Sequence, residues 1–127
     1  MLLSAMIDSS PEVRVSPSNA RIPWSRDDLV IACGLYFTLP FGQMHSRNPR
    51  IIEVASLIGR TPSSLAMKLV NFASMDPAHQ ARGIKGLSGH SRSDERVWSE
   101  FRDDWDTMTV LSETKLGILE DAKERPP

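Results

Sequence analysis

Three cap-and-proline dipeptides divide the middle of this chain into short helices: Asn48-Pro49, Thr61-Pro62 and Asp76-Pro77. The first residue of each pair has a side-chain oxygen that accepts hydrogen bonds from the free N–H groups at a helix start. The proline fits the first helical position, where its missing N–H is not needed. Short helices that each bury only one apolar stripe must cross and share a core, so the chain is constrained to a small helical domain.

Apolar residues recur at helical spacing on both sides of these dipeptides. The stretch 25–39 predicts a first helix, with Ser25 as its cap and Trp24 just before it. The stretch 49–59 predicts a second helix, which ends at a glycine typical of helix C-termini. The stretch 62–75 predicts a third helix, whose buried stripe is Leu65, Leu69 and Phe72.

The remaining segments complete an all-α prediction. A short helix is expected from Pro77 to about Arg82, a glycine-rich loop at 83–90, and a long C-terminal amphipathic helix over 93–119. No period-two alternation, internal repeat or sustained heptad pattern is found. The predicted organisation is a flexible leader at 1–22, a helical domain at 23–120 and a disordered tail at 121–127.

The charge is unevenly distributed along the chain. Its 127 residues carry 15 basic and 16 acidic side chains, but the seven basic and two acidic ones of residues 42–92 give that stretch a net charge of +5. Such a segment favours one electropositive face, although solvated surface charges are the alternative. The seven cations, here named the basic block, are Arg47, Arg50, Arg60, Lys68, Arg82, Lys85 and Arg92.

Several function classes are excluded by composition. The single cysteine, Cys33, cannot form an internal disulfide or a cysteine-based zinc site, and it favours a cytoplasmic location. The apolar start is too short for a signal peptide or a membrane span. The loop at 83–89 lacks the ending of a P-loop. No catalytic residue, metal site or cofactor is predicted, because the three histidines have no ligand partners at suitable spacing.

Two resemblances to known families cover the middle of the chain. Trp24, followed by the turn Ile58-Gly-Arg-Thr-Pro-Ser-Ser64, resembles Myb/SANT-type three-helix units with a helix-turn-helix, whose third helix enters the DNA major groove. More widely, residues 23–105 resemble the N-terminal domain of bacterial HNH-type, restriction-like endonucleases. The matching strings are Leu35-Tyr-Phe-Thr-Leu-Pro-Phe-Gly42, Arg47-Asn-Pro49, Gly59-Arg-Thr-Pro-Ser63, Ala66-Met-Lys-Leu-Val-Asn-Phe72, Ala81-Arg-Gly83 and Gly86-Leu-Ser88.

This resemblance implies a DNA-binding specificity domain that serves a restriction-type nuclease in bacterial defence. The implied partners are double-stranded DNA, unmodified or methylated, and an HNH nuclease domain in the same or an associated chain. The chain itself lacks the histidine-rich ββα metal site of such nucleases, so it is not expected to be an enzyme. A single helix-turn-helix reads few base pairs, so a homodimer or a second contact region is expected.

The predicted contacts follow from how such a motif meets DNA. Free N–H groups at the start of the third helix can hold a phosphate, and base reading falls to its outer face, where Asn71 suits adenine. Met67 and Val70 on that face either pack under the 93–119 helix or contact the methyl group of thymine or of a methylated base. The predicted DNA-binding residues are Arg47, Arg50, Arg60, Thr61, Ser63, Ser64, Met67, Lys68, Asn71, Arg82, Lys85, Ser88 and His90.

Two other functions fit the same sequence. A SANT-like protein-interaction module would use the apolar residues of the third helix as an interface, and a stand-alone DNA-binding regulator would need no nuclease partner. Salt dependence separates DNA binding from an apolar protein interface, because only phosphate neutralisation makes affinity fall steeply with salt.

Overall fold

The computed structural model describes residues 23–81 and 90–124, and within these ranges the chain forms six helices and no strand. The all-α prediction is confirmed. The expected leader at 1–22 and most of the glycine-rich loop lie outside the described residues. The helices are α1 (Arg26–Tyr36), α2 (Pro49–Leu57), α3 (Pro62–Met75), α4 (Pro77–Ala81), α5 (Arg92–Asp103) and α6 (Trp105–Glu124), with a 3-10 turn at Phe41–Gln43.

The first three helices begin at the predicted caps. The side chains of Ser25, Asn48 and Thr61 each accept a hydrogen bond from a first-turn backbone N–H, at 3.0, 2.8 and 3.0 Å. Pro49 and Pro62 occupy the first helical positions of α2 and α3. These helix starts are therefore fixed by local chemistry that is visible in the sequence.

The turn between α2 and α3 is closed by Gly59. Its φ of 73° lies in the left-handed region, which favours glycine. The Arg60 N–H donates to the Ala55 carbonyl at 2.9 Å, and the Gly59 N–H donates to the Ser56 carbonyl at 3.3 Å. This pair of hydrogen bonds is a Schellman motif, in which Gly59 is the glycine just beyond the helix end that the sequence predicts, and Leu57 is the last helical residue of α2.

The prediction of a single C-terminal helix over 93–119 is wrong, because the chain bends at Asp104 (φ −144°, ψ 65°). The Asp104 carbonyl accepts the Met108 N–H at 3.0 Å and so starts α6. A straight helix over both segments would be about 50 Å long, far longer than the 11-residue α1 on which both halves pack. The bend lets α5 and α6 each reach α1, and α6 runs to Glu124, past the predicted boundary at 120.

The core is built around α1, which is in contact with α3, α5 and α6. Helix α1 is apolar over most of its circumference, as expected for a central helix that other helices surround. Its consecutive residues Leu29 to Cys33 are all buried. The other helices contribute Ile51, Val54, Leu65, Leu69, Phe72, Val97, Phe101 and Met108 to the same core.

Aromatic side chains join the C-terminal helices to α1. Phe37 stacks on Trp98, with ring centroids 5.3 Å apart, and meets Trp105 edge-on at 4.7 Å. Trp98 also meets Tyr36 edge-on at 5.6 Å and stacks at 6.2 Å on Phe72 of α3. The aromatic residues of α5 and α6 therefore find their partners mainly at the C-terminal end of α1, on Tyr36 and on Phe37, which directly follows the helix.

Candidate nucleic-acid interface

The outer face of α3 is uncovered in its first half. Ser63 is exposed and 51% of Met67 is accessible, whereas Leu65 and Leu69 on the opposite face are fully buried. Along this uncovered face runs a shallow groove of about 240 Å³, shared with the loop that precedes α2. We name it the α3 groove, and its lining residues are Met44, Ser46, Ser63, Ala66, Met67 and Val70.

The sequence left two roles open for Met67: packing under the C-terminal helix, or contact with a methyl group of DNA. The structure contradicts the first of these roles. Trp98 and Trp105 pack instead on the ring of Phe37, and Met67 stays half exposed. Val70 is partly buried and lines the α3 groove beside Met67. This face is therefore apolar at its centre and polar at its start, where Ser63 lies.

Arg60, predicted to bind a phosphate, is buried inside the domain, with 8% of its surface accessible. Its guanidinium donates to the Pro23 carbonyl at 2.9 Å and lies over the Trp24 ring, 4.5 Å from the centroid. Burial raises the pKa of the Asp28 carboxyl, and the Arg60 charge partly opposes that rise. Arg60 thus holds the start of α1 against the turn between α2 and α3, and it is not presented to a ligand.

Lys68, also predicted to bind DNA, forms a buried ion pair. Its Nζ lies 3.0 and 3.1 Å from the two carboxylate oxygens of Asp94, whose side chain has no accessible surface. Asp94 also accepts the Ser91 N–H at 3.0 Å and closes the capping box that starts α5. The Lys68 Nζ is 5.1 Å from the Trp24 ring centroid. Lys68 therefore fixes α5 to α3 and leaves little of its charge at the surface.

The other described cations of the basic block differ in their partners. The Arg50 guanidinium is paired with Glu53 at 2.7 Å and with Glu120 at 3.4 Å, and its hydrogen bond to Glu53 is the main cause of its raised pKa. Arg47 and Arg92 are exposed and form no ion pair within the described residues. Of these two exposed arginines, Arg47 adjoins the groove residue Ser46 in the sequence, whereas Arg92 adjoins no groove residue.

Two further predicted contacts lie away from the start of α3. Asn71, expected to face outward, is 6% accessible, and no partner within the described residues reaches its buried Oδ1. Helix α3 is covered by α1, α2 and α5, so its free surface is narrower than a single apolar stripe suggests. His90 is half-buried near the end of α3, between Ser74 (3.4 Å) and Glu95 (3.0 Å). The predicted residues Arg82, Lys85 and Ser88 lie outside the described residues.

The remaining predicted contacts stay at the start of α3. Thr61 is exposed and caps the helix by accepting the N–H of Ser64, which is itself partly buried. Sequence reasoning missed Met44 and Ser46, which join the α3 groove from a loop without helical periodicity. It also missed Asp94, although the Ser91-to-Asp94 spacing is that of a capping box and could have marked it.

Within residues 23–81 and 90–124 there is no cluster of metal-ligating side chains. No helix in these ranges is long and apolar enough to cross a membrane. Neither the protein-family models, the curated proteins nor the solved structures compared with this chain include a match. The resemblance to HNH-type endonucleases therefore stays a prediction, and the functional argument depends on the geometry of the domain itself.

Proposed function

We propose that this chain is a Myb/SANT-like helix-turn-helix module that binds double-stranded DNA with the α3 groove. The observation that carries the proposal is the uncovered outer face of α3, next to an exposed N-terminus capped by Thr61. Helices α2 and α3 pack together across the tight turn at Gly59, and α1 lies against α3. In such an arrangement the second helix of the motif presents its first turns to the major groove.

Within this proposal the cations have different roles in DNA binding and in domain structure from those that the sequence suggests. Arg60 and Lys68 hold the motif together, and the DNA backbone is held by Arg47 and by the Ser63 N–H at the start of α3. Pro62 has no N–H, and the N–H groups of Ser64 and Leu65 already donate to Thr61. Ser63 supplies a hydroxyl for a base edge or a phosphate. The implied biological setting is the targeting domain of an HNH restriction-type nuclease, whose nuclease domain would lie in the same or an associated chain.

Fluorescence-anisotropy titrations with short duplexes over a series of salt concentrations test the proposal. The slope of log affinity against log salt is about −0.9 for each phosphate neutralised. If Arg47 alone binds a phosphate, the expected slope is about −1, and if Arg82 and Lys85 also bind, it is about −3. Binding of phosphates by all seven cations of the basic block would give a slope of about −6.

Arg47→Ala and Arg92→Ala form a matched pair of variants. Both remove one exposed arginine with no ion pair in the described structure, but only Arg47 adjoins a groove residue. Arg47→Ala is expected to weaken binding and to reduce the salt slope by about one unit, and Arg92→Ala to change neither. Equal effects of the two variants would show that binding depends on general charge and not on this face.

A protein-interaction module is the second candidate, and one observation favours it. Three of the five described block cations are held by groups of the same chain, while the α3 groove exposes Met67 beside Met44 and Val70. Apolar surface of this kind suits a protein partner as well as a base. Absence of DNA binding at low salt would refute the first proposal and leave this one.

A further inference from the structure

A second and larger cleft lies on another part of the domain, between α1 and α6. Its volume is about 460 Å³, within the range of small-molecule sites in proteins. Gly34 and Ser112 lie at its base, where the two helices approach so closely that a Cβ on Gly34 would be 2.6 Å from the Ser112 Cβ. The apolar part of the lining consists of Ile31, Leu35, Phe37, Trp105 and Leu116.

Two aromatic side chains remain partly uncovered in this cleft. Phe37 is 38% and Trp105 is 46% accessible, although both rings line the cleft and also contact each other edge-on. Aromatic faces attract apolar groups and cations. The exposed rings therefore offer a surface for a ligand that is apolar, cationic or both.

The hydroxyl groups of the cleft are turned into acceptors by their own hydrogen bonds. Thr38 donates to the Leu35 carbonyl at 2.9 Å, Thr109 to the Trp105 carbonyl at 2.9 Å, and Ser112 to the Thr109 carbonyl at 3.0 Å. Because each hydroxyl proton is already used, its oxygen offers only lone pairs to a ligand. The polar wall of the cleft thus favours a ligand that donates hydrogen bonds.

The cleft lining holds two charged side chains, Arg50 and Glu113. Arg50 is its lining cation, and the carboxylates of Glu53 and Glu120 already pair with it. Glu113 lines the cleft with no ion-pair partner within the described residues. Because Glu53 and Glu120, which lie outside the lining, already compensate the charge of Arg50, the Glu113 carboxylate is the lining charge left for a ligand, and it favours a cation over an anion.

We propose that this cleft binds a small primary ammonium compound that carries an aromatic or apolar group. The ammonium donates its N–H groups to the hydroxyl oxygens and to Glu113, and the apolar group lies on Phe37 and Trp105. The cleft shares no residue with the α3 groove, so the proposal does not rest on the proposed function.

Nuclear magnetic resonance titration of the full chain with 2-phenylethylamine, near neutral pH, tests the proposal. Saturable shifts are expected in the backbone signals of Gly34, Thr38 and Thr109. The neutral analogue 2-phenylethanol is expected to bind about tenfold more weakly, which corresponds to about 1.4 kcal/mol. The quaternary trimethylammonium analogue, which keeps the charge but has no N–H donors, is expected to bind more weakly than the amine, and phenylacetate not to saturate.

The variants Glu113→Gln and Glu124→Gln test whether amine binding depends on the Glu113 carboxylate or only on the overall charge of the protein. Both change an exposed glutamate of α6, but only Glu113 lines the cleft. Glu113→Gln is expected to weaken amine binding about two- to fivefold, in line with an exposed ion pair, and Glu124→Gln to leave it unchanged. The proposal is overturned by equal affinity for amine, alcohol and phenylacetate, by equal effects of the two variants, or by shifts that stay linear to the solubility limit of the amine.

Discussion

Replacement of Lys68 by methionine should destabilise the domain far more than loss of an ordinary surface lysine. The substitution keeps the apolar stem of the side chain and removes the ammonium that compensates Asp94. Asp94 has no accessible surface, and its other described hydrogen bonds are those of the capping box with Ser91. Lys68→Met therefore leaves a carboxylate enclosed without an opposite charge.

The size of the effect follows from the burial of the pair. Breaking a buried ion pair by removing one partner costs about 3–5 kcal/mol, because the remaining charge is left uncompensated. The Lys68 side chain is 11% accessible, so water can approach its end and we expect a loss of about 3 kcal/mol. A domain of this kind has a total stability of about 5–15 kcal/mol, so the change removes a substantial fraction of it.

Urea denaturation followed by tryptophan fluorescence and circular dichroism measures this loss. Lys123→Met is the matched control, because Lys123 is exposed on α6 and has no ion pair within the described residues. The double variant Lys68→Met/Asp94→Asn removes both charges and keeps an acceptor for the capping box, so it should lose less than Lys68→Met alone. A loss below about 1 kcal/mol in Lys68→Met, as in the control, would refute the assignment of a buried pair.

Three further substitutions or treatments test other parts of the fold. Gly34→Ala should destabilise the domain by about 1–3 kcal/mol through collision with Ser112, measured by thermal denaturation, and Ser112→Gly in the same chain should restore part of the loss. Thr61→Ala should cost about 1 kcal/mol because the Ser64 N–H loses its acceptor, while Thr61→Ser should cost little in the same urea assay. Burial raises the pKa of the Cys33 thiol above its ordinary value, so iodoacetamide should modify it only after unfolding, and rapid modification of the native domain by mass spectrometry would contradict its burial.

The starts of α1, α2 and α3 were predictable because local chemistry determines them, whereas α1 ends at Tyr36, before the predicted end at residue 39. The caps at Asn48 and Thr61, the prolines after them and the left-handed Gly59 act on neighbouring backbone groups, and such effects can be recognised in a short stretch of sequence. The bend at Asp104 was missed because the apolar pattern continues across it. The bend lets both α5 and α6 contact α1, and these contacts join residues that are far apart in the chain.

The roles of Arg60 and Lys68 depend on partners that are distant in sequence. Arg60 donates to the Pro23 carbonyl, 37 positions before it, and Lys68 pairs with Asp94, 26 positions after it. From sequence alone, both residues look like surface cations around the start of a DNA-binding helix. Nothing in their immediate neighbours indicates that tertiary packing encloses them.

These buried cations change how mutational tests of the proposed function must be designed. Alanine at Arg60 or Lys68 would reduce DNA binding in two cases: if these residues contacted phosphate, and if the helix-turn-helix merely lost its support. The second case follows from the structure, since Arg60 holds Trp24 and Lys68 holds the start of α5. Only variants of exposed side chains without partners inside the domain can distinguish the loss of a DNA contact from the loss of structural support. Among the described cations of the basic block, Arg47 and Arg92 meet that condition, and a difference between their alanine variants therefore reports on the DNA-binding face itself.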